Sequence, residues 1–444
     1  MLWPVLSITL PSRMSCPEPA RSAAQWRGAR VVIAGVSTRA AAESAVGAGL
    51  VVTAIDAFGD LDQNPGVHAL SLPRDFGTRF TPAAAARVAA SIERDAVAYL
   101  SSFENHRRAV SMLAAGCALW GNAPAVLRRV RDPILVGEVL RRRGFPAPRV
   151  VVAGFNGTSN AAGPAVRLKP DTTPVSDHHH WLVKPLASGG GHGVRRWHGE
   201  SRALGPARVT RLPRGRYLQE LVDGTPGSVV LVAARGRAVP LGVSRQLVGE
   251  AEFGATGYRY CGSILAAAGD AQFARDEALL ARVSDLVTAI AEEFGLVGVN
   301  GIDFIARGGV PYTVEVNPRW CASMELVERA YSLSVFGAHA AACAVGALPP
   351  FDLALARRGA PAVGKAVVFA RLDVVVGDTR VWLEDESVRD VPHPGERIPV
   401  GRPVCTVFAT GRDSVACHAA LVRRAERVYA QLEAWARELQ ASVD

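Results

Sequence analysis

Lysine is almost missing from this chain. Among its 50 basic residues only Lys169, Lys184 and Lys365 are lysine, and all others are arginine. A position that keeps lysine in such a background asks for a compact point charge instead of a planar fork. That directs attention to Lys184. No run of about 18 or more uncharged apolar residues occurs, so no membrane-spanning helix is expected and a membrane is not an expected partner. The seven cysteines are odd in number and form no C-x-x-C pair. This argues against a disulfide framework or a zinc ribbon and for reduced thiols in the cytoplasm. Clustered positive charge is also lacking. The net charge of +9 is spread along the chain, with only short runs such as Arg141-Arg142-Arg143 at an expected helix end, where cations suit the dipole. Nucleic acid is therefore not an expected partner. Two glycine signatures are absent as well. The first strand-to-helix turn holds Gly35 alone, which leaves a dinucleotide G-x-G-x-x-G unsupported. No G-K-[ST] follows any glycine run, which excludes a Walker A loop.

What is present has the balance of a globular protein, with 49% hydrophobic and 20% charged residues. A length of 444 residues suggests about three domains. Residues 1–28 read as a loose extension that makes a poor signal peptide, with Met14 as another candidate initiator. From residue 30 the pattern is strand, helix and strand, with apolar runs at Val31–Ala34 and before Asp56, a βαβ opening. Further strand-like runs at 96–100 and 117–120 end in Ser101-Ser102-Phe103-Glu104-Asn105 and Gly121-Asn122. Ligands of open α/β sheets sit at such carboxyl ends, so these groups are candidates to face a substrate, with solvated loops as the alternative.

Asp132-Pro133 is expected to cap a helix running to Arg143. Residues 155–180 read as an inserted loop, and its His178-His179-His180 lacks partner ligands at metal-binding spacing. A helix is expected over 271–294, where Leu279, Val283, Leu286, Ile290 and Phe294 form one stripe closed by Gly295. Another is expected over about 415–440, with Leu421, Ala425, Val428, Leu432, Trp435 and Leu439 on its core face.

Three segments carry candidate chemistry. In WLVKPLASGGGHGVRRW (181–197) a strand delivers Lys184. The loop Ser188-Gly189-Gly190-Gly191-His192-Gly193 can then turn several backbone N–H groups toward one point, a nest suited to phosphate oxygens. In RYLQELVDGTPGSVVLVA (216–233) the backbone of Glu220-Leu221-Val222 can read an adenine edge and Asp223 can bond ribose hydroxyls; a hairpin with an exposed acidic turn explains the segment equally well. In GIDFIARGGVPYTVEVNPRW (301–320) two strands flank Arg307-Gly308-Gly309-Val310-Pro311. A loop symmetric about Gly309 places Asp303 opposite Glu315, with Asn317 on the same face. Two carboxylates side by side in a half-buried sheet repel unless a cation lies between them.

The ordered series of strand lysine, glycine loop, adenine-edge segment and Asp…Glu-x-Asn hairpin resembles the ATP-grasp superfamily, and within it the predicted ATP-dependent carboligases that are similar to biotin carboxylase. The resemblance covers roughly residues 31–435 and is most specific in VNGIDFIARGGVPYTVEVNPRW. It implies an α/β (α+β) protein: a Rossmann-like domain over 29–125, a two-lobed ATP-grasp unit over 126–345, and a small β-rich region over 346–444 that ends in a helix. It also implies that Lys184, Ser188, Gly189, Gly190, Gly191 and Gly193 hold ATP phosphates, and that Glu220, Leu221, Val222 and Asp223 hold the nucleoside. Asp303, Glu315 and Asn317 become ligands for Mg²⁺, with Mn²⁺ as the alternative, because hard oxygen donors suit such ions. Arg319, with Lys184, would serve the chemistry by holding carboxylate or acyl-phosphate oxygens.

The reaction implied is activation of a small-molecule carboxylate as an acyl phosphate for attack by an amine or other nucleophile. Glu104, Asn105 and Arg245 are candidates for substrate contact, and a homodimer is one open arrangement. Two positions depart from the family pattern. Many relatives have a second phosphate-contacting lysine where this chain has Arg131. Biotin carboxylases have a Glu where this chain has Ser323, which counts against bicarbonate-dependent carboxylation through carboxyphosphate. A nucleotide-binding sensor without turnover is the other alternative.

Overall fold

The computed structural model describes residues 26–152, 180–197 and 215–441. The extension up to residue 25 and the inserted loop, apart from His180, lie outside them. The first sheet has five parallel strands: β1 (Arg30–Ala34), β2 (Val51–Asp56), β3 (Val67–Ser71), β4 (Ala96–Tyr99) and β5 (Ala118–Trp120), in the order β3-β2-β1-β4-β5. Continuous apolar sequences such as Val31-Val32-Ile33-Ala34 fit a parallel sheet that is covered on both faces, and these four residues are all buried. Strand order reverses between β1 and β4. There the Val36 N–H donates to the Ser101 carbonyl at 2.6 Å, so the ends of both strands form one crevice.

A second, antiparallel sheet contains β6 (Val150–Val152), β7 (Trp181–Pro185), β8 (Arg195–Trp197) and β9 (Arg216–Glu220), in the order β6-β9-β7-β8. The third sheet is the largest. It includes β10 (Thr225–Ala234), β11 (Arg237–Val248), β12 (Tyr260–Leu265), β13 (Gly298–Arg307), β14 (Val310–Asn317) and β15 (Ala362–Phe369). After the short pair β16 (Val374–Val375) and β18 (Arg397–Ile398), with β17 (Val388–Arg389) between them in sequence, β19 (Pro403–Gly411) completes the set. The order β14-β13-β10-β11-β12-β15-β19-β17 makes eight strands continuous. The small β-rich region expected over 346–444 contributes three strands, β15, β17 and β19, to the same sheet as the hairpin.

Helices cover this sheet by their apolar stripes. In Asp276–Phe294 the residues Leu279, Val283, Leu286, Ile290 and Phe294 are buried against β10, β11, β13 and β14. Each such apolar side chain contributes about 1.5–3 kcal/mol. Gly295 ends the helix in a left-handed conformation. The expected start at 271 lies five residues too early. Asp132 caps the helix Pro133–Arg142 by accepting from the Ile134 and Leu135 N–H groups. The last helix, Ser414–Ala441, packs Cys417, Leu421, Ala425, Val428, Leu432 and Trp435 onto β15 and β19.

Candidate active site

One cleft of about 1150 Å³ runs between the small antiparallel sheet, the large sheet and the carboxyl ends of β1 and β4. Its floor is the β13–β14 hairpin. The turn is shorter than expected: Arg307 pairs with Val310, leaving Gly308 and Gly309 at φ +60° and +80°. Two consecutive positive φ values define the tight hairpin turn that matches strand twist, and glycine adopts them without strain. A bulge then leaves Val314 as an extra residue on β14, after which Asp303 pairs with Glu315 and Gly301 with Asn317. In a regular ladder without the bulge, Val314 would pair with Asp303, and Glu315 would stand opposite Ile302 and face the other way. The turn and the bulge together produce the pairing that a longer symmetric loop would give.

The carboxylate pair is held by different partners. Asp303 accepts from Asn317 Nδ2 and Gln246 Nε2, each at 2.9 Å. Burial, and then the Glu315 charge, push its pKa up to about 6. Glu315 Oε1 accepts from Arg131 Nη1 at 2.5 Å. Burial opposes its ionisation, but Arg131 and Lys184 outweigh burial and hold its pKa below the usual range. Arg131 is therefore the cation that the adjacent carboxylates require. Arg319 lies beside them: its Nη2 donates to Asn317 Oδ1 at 3.1 Å and its Nε to Glu104 Oε1 at 2.9 Å. Burial lowers the Arg319 pKa, but Glu104 more than compensates and the net shift is upward.

Lys184 reaches the same region from β7, where its Nζ donates to Gln219 Oε1 at 3.0 Å. Gln219 Nε2 donates in turn to the Val314 carbonyl at 3.2 Å, joining the small sheet to the bulge. The glycine loop rests on the β11–β12 connection. Tyr260 N–H donates to the Gly190 carbonyl at 3.1 Å. A Cβ on Gly191 would stand 1.7 Å from the Tyr258 carbonyl oxygen, so no other residue fits at this approach. Ser188, Gly189, Gly190 and Gly191 all line the cleft, while Gly193 adopts φ +74° at the loop's end.

Glu220, Leu221, Val222 and Asp223 line it too. The Glu220 carboxylate accepts the Arg149 N–H at 3.0 Å, and the Leu221 N–H donates to the His180 carbonyl at 2.8 Å. Those two groups are committed to the protein. Of the residues considered for substrate contact, Glu104 and Asn105 reach the site through arginines, Glu104 on Arg319 and Asn105 Oδ1 on Arg131 Nη2 at 3.2 Å. Arg245 does not. Its strand neighbours Gln246 and Val248 alternate into the cleft, and alternation turns Arg245 to the opposite face of β11.

Tyr99, Asn300, Arg39 and Asp390 carry no mark in the sequence, whereas Asn122 was a candidate to face a substrate. Tyr99 Oη donates to the carbonyls of Asn122 and Pro318 at 2.9 and 3.2 Å, and Asn122 Nδ2 donates to Asn300 Oδ1 at 2.8 Å. These bonds fix the backbone just before Arg319 onto the ends of β4 and β5. At the far end of the cleft, Lys365 Nζ and Arg39 Nη2 each bond Glu325, at 2.7 and 2.8 Å, and Arg39 Nε bonds Asp390 Oδ1 at 2.7 Å. The rarity of lysine was a signal for Lys365 as much as for Lys184. After Arg319 the chain turns into the helix Met324–Tyr331 instead of continuing as a strand. Glu325, although buried, is held well below the usual carboxylate range, because Arg39 and Lys365 outweigh its desolvation.

Residues 133–323 match the ATP-grasp domain family. No curated protein matches the chain by sequence. Among solved structures, the L-amino acid ligase of Bacillus licheniformis aligns over 90% of this chain and 98% of its own, at 15% identity and a TM-score of 0.59. The biotin carboxylase domain of Hydrogenobacter thermophilus 2-oxoglutarate carboxylase, solved with MgADP, ADP and bicarbonate, aligns over 86% of each chain at 13% identity and TM-score 0.60. N5-carboxyaminoimidazole ribonucleotide synthetase of Thermus thermophilus aligns over 88% of this chain and 97% of its own, at 16% identity and TM-score 0.57. At such identities the shared property is the fold. Residues 133–323 are an ATP-grasp domain, set within a chain that has the overall fold of these ATP-grasp enzymes.

Proposed function

We propose that the protein is an ATP- and Mg²⁺-dependent ligase that activates a small-molecule carboxylate for attack by an amine. The observation that carries this reading is the convergence of Asp303, Glu315 and Asn317 on one ribbon face, below Lys184 and the glycine loop of an ATP-grasp domain. Among the described residues no group of three or more His, Cys, Asp or Glu side chains could hold a metal. Two carboxylates and an amide instead form a partial oxygen set. That set fits an ion such as Mg²⁺, which keeps phosphate oxygens and waters in its shell. The ion would neutralise phosphate charge as it transfers.

The chain's own residues perform the rest. Lys184 meets phosphate oxygens as a point charge, and the Ser188–Gly193 loop covers them. Phosphoryl transfer to the substrate carboxylate forms an acyl phosphate and releases ADP. The amine then forms the C–N bond as the C–O bond to phosphate breaks, and phosphate leaves. Arg319, held at Nε by Glu104, at Nη1 by the Trp320 carbonyl and at Nη2 by Asn317, offers its second Nη2 N–H and its charge to the carboxylate oxygens and to the tetrahedral intermediate. Val222 and Asp223, beyond the committed groups of Glu220 and Leu221, offer the nucleoside contacts. Bicarbonate-dependent carboxylation is less well supported, because Ser323 is buried and Glu325 is locked between Arg39 and Lys365.

The six described cysteines are free thiols, which supports a cytoplasmic setting. No helix among the described residues is long and apolar enough to cross a membrane. The deciding experiment is phosphate and ADP release across paired panels of carboxylates and amines, with labelled bicarbonate as a parallel arm. Release that requires one carboxylate and one amine supports the ligase. Release stimulated by bicarbonate alone points to a carboxylase, and tight ATP binding with no release under any condition points to a sensor.

A further inference from the structure

Arg131 is the point at which four segments of the cleft meet. Its side chain is only 13% exposed. Nη1 donates to Glu315 Oε1 at 2.5 Å and to the Val316 carbonyl at 3.0 Å, while Nη2 donates to Asn105 Oδ1 at 3.2 Å and to the Ser188 carbonyl at 3.3 Å. Four of its five N–H donors are thus used. The fifth, at Nε, is buried without a partner among the described residues, and so is the acceptor Glu104 Oε2. An unmet buried donor is costly, so this arrangement of the guanidinium is not its best attainable one.

The position of the charge matters more. Glu315 shares its ribbon face with Asp303 and Asn317, the proposed ligands of the divalent ion. A guanidinium bonded to a Glu315 oxygen and a divalent ion bound to the same carboxylate would place three positive charges within a few ångströms of one another. Like charges at such a distance repel strongly in a partly buried site. We infer that Arg131 is a placeholder cation: it occupies Glu315 before the metal arrives, then moves to the nucleotide phosphates and frees the Ser188 carbonyl at the head of the glycine loop. This rests on the ATP reading of the cleft. The move needs no long travel, because Ser188, already in contact with Arg131, opens the loop that would hold those phosphates. Bidentate phosphate contact also suits a guanidinium better than its present shared bonds.

The test is Mn²⁺ binding to the nucleotide-free full-length protein by electron paramagnetic resonance, combined with Mg·ATP titration by calorimetry. Wild type, Arg131→Met, Glu315→Gln and the double variant are compared. Arg131→Met should bind Mn²⁺ about tenfold more tightly than wild type, the scale of one charge-assisted contact, while binding Mg·ATP more weakly. Glu315→Gln should remove the Mn²⁺ gain from the double variant. A purely structural role would not move the two affinities in opposite directions. Arg131→Lys keeps the charge and should lie between wild type and Arg131→Met in both, which controls for misfolding. Unchanged or weaker Mn²⁺ binding in Arg131→Met, or a gain that survives Glu315→Gln, overturns the placeholder. If wild type binds no ATP while the Mn²⁺ gain is intact, the ATP reading fails and the competition between Arg131 and the metal stands.

Discussion

Glu315 bears opposing demands. It lies beside Asp303, accepts from Arg131 and feels Lys184, and its charge survives partial burial only through these cations. Glu315→Gln keeps the shape and removes the charge, so Mg²⁺-dependent ATP turnover should vanish while the thermal melt stays close to that of wild type. Turnover equal to wild type would refute the metal assignment. Among the described residues Lys184 Nζ donates to a neutral partner, Gln219, a bond that the proposed phosphate contact would replace. Lys184→Ala should weaken ATP binding by about 1.5–3 kcal/mol, the range of a charge-assisted hydrogen bond, as read by calorimetry. At this scale the readable residues were those whose spacing fixes a shared face, such as Asp303, Glu315 and Asn317. Arg245 misled because its stretch carries no mark of which alternate set faces inward; register decides that, and Gln246 is the residue that turns toward Asp303. Glu104 was a candidate from its place after β4, but its bond to Arg319 joins residues 215 apart in sequence, a separation no local pattern encodes.

Among the elements, the hairpin shows how a correct pairing can follow from incomplete geometry. Two glycines and one bulged valine together shift the strand by the single residue needed to put Glu315 opposite Asp303. Apolar period and glycine content disclose the hairpin, but the bulge depends on what β13 offers across the ladder. The helices were legible by their stripes, and their ends moved by a few residues because capping, not periodicity, sets them. The helix Val335–Val345 carries a buried histidine with a measurable consequence. His339 Nδ1 accepts the Val299 N–H at 3.0 Å. Burial lowers its pKa to about 4. The native state then binds fewer protons than the unfolded chain between about pH 4 and the unperturbed value near 6.5, so this contribution is present above that range and is lost as pH falls through it. Lowering pH from 7 to 5 should cost wild type about 2 kcal/mol more than His339→Gln, measured by urea unfolding at each pH.

Across the whole molecule, charge binds the parallel sheet to the large one. Arg39, at the start of the first helix, is fully buried; it bonds Glu325, just beyond the hairpin, and Asp390, beside β17. Asp390 is further held by Thr406 Oγ1 at 2.5 Å, and Glu325 by Lys365 at 2.7 Å. Removing one member of such a network leaves a buried charge unmatched, so Arg39→Met should lower stability by about 3–5 kcal/mol. The double variant with Asp390→Asn should lose less than the sum of the two single changes, read from urea midpoints. The overall architecture was legible through the βαβ opening and the ordered motifs. The membership of β15, β17 and β19 in the central sheet was not, because strand sequences do not record which edge they join.

That membership limits how such a protein can be recombined. Gly262 lies so close to β15 that a Cβ there would stand 2.2 Å from the Lys365 carbonyl oxygen. A tail borrowed from another protein would have to reproduce that tight seam strand by strand. Grafts joined near residue 346 should therefore yield insoluble chains unless β12 travels with the segment it abuts, whereas exchanges confined to the β7–β8 flap leave the seam untouched.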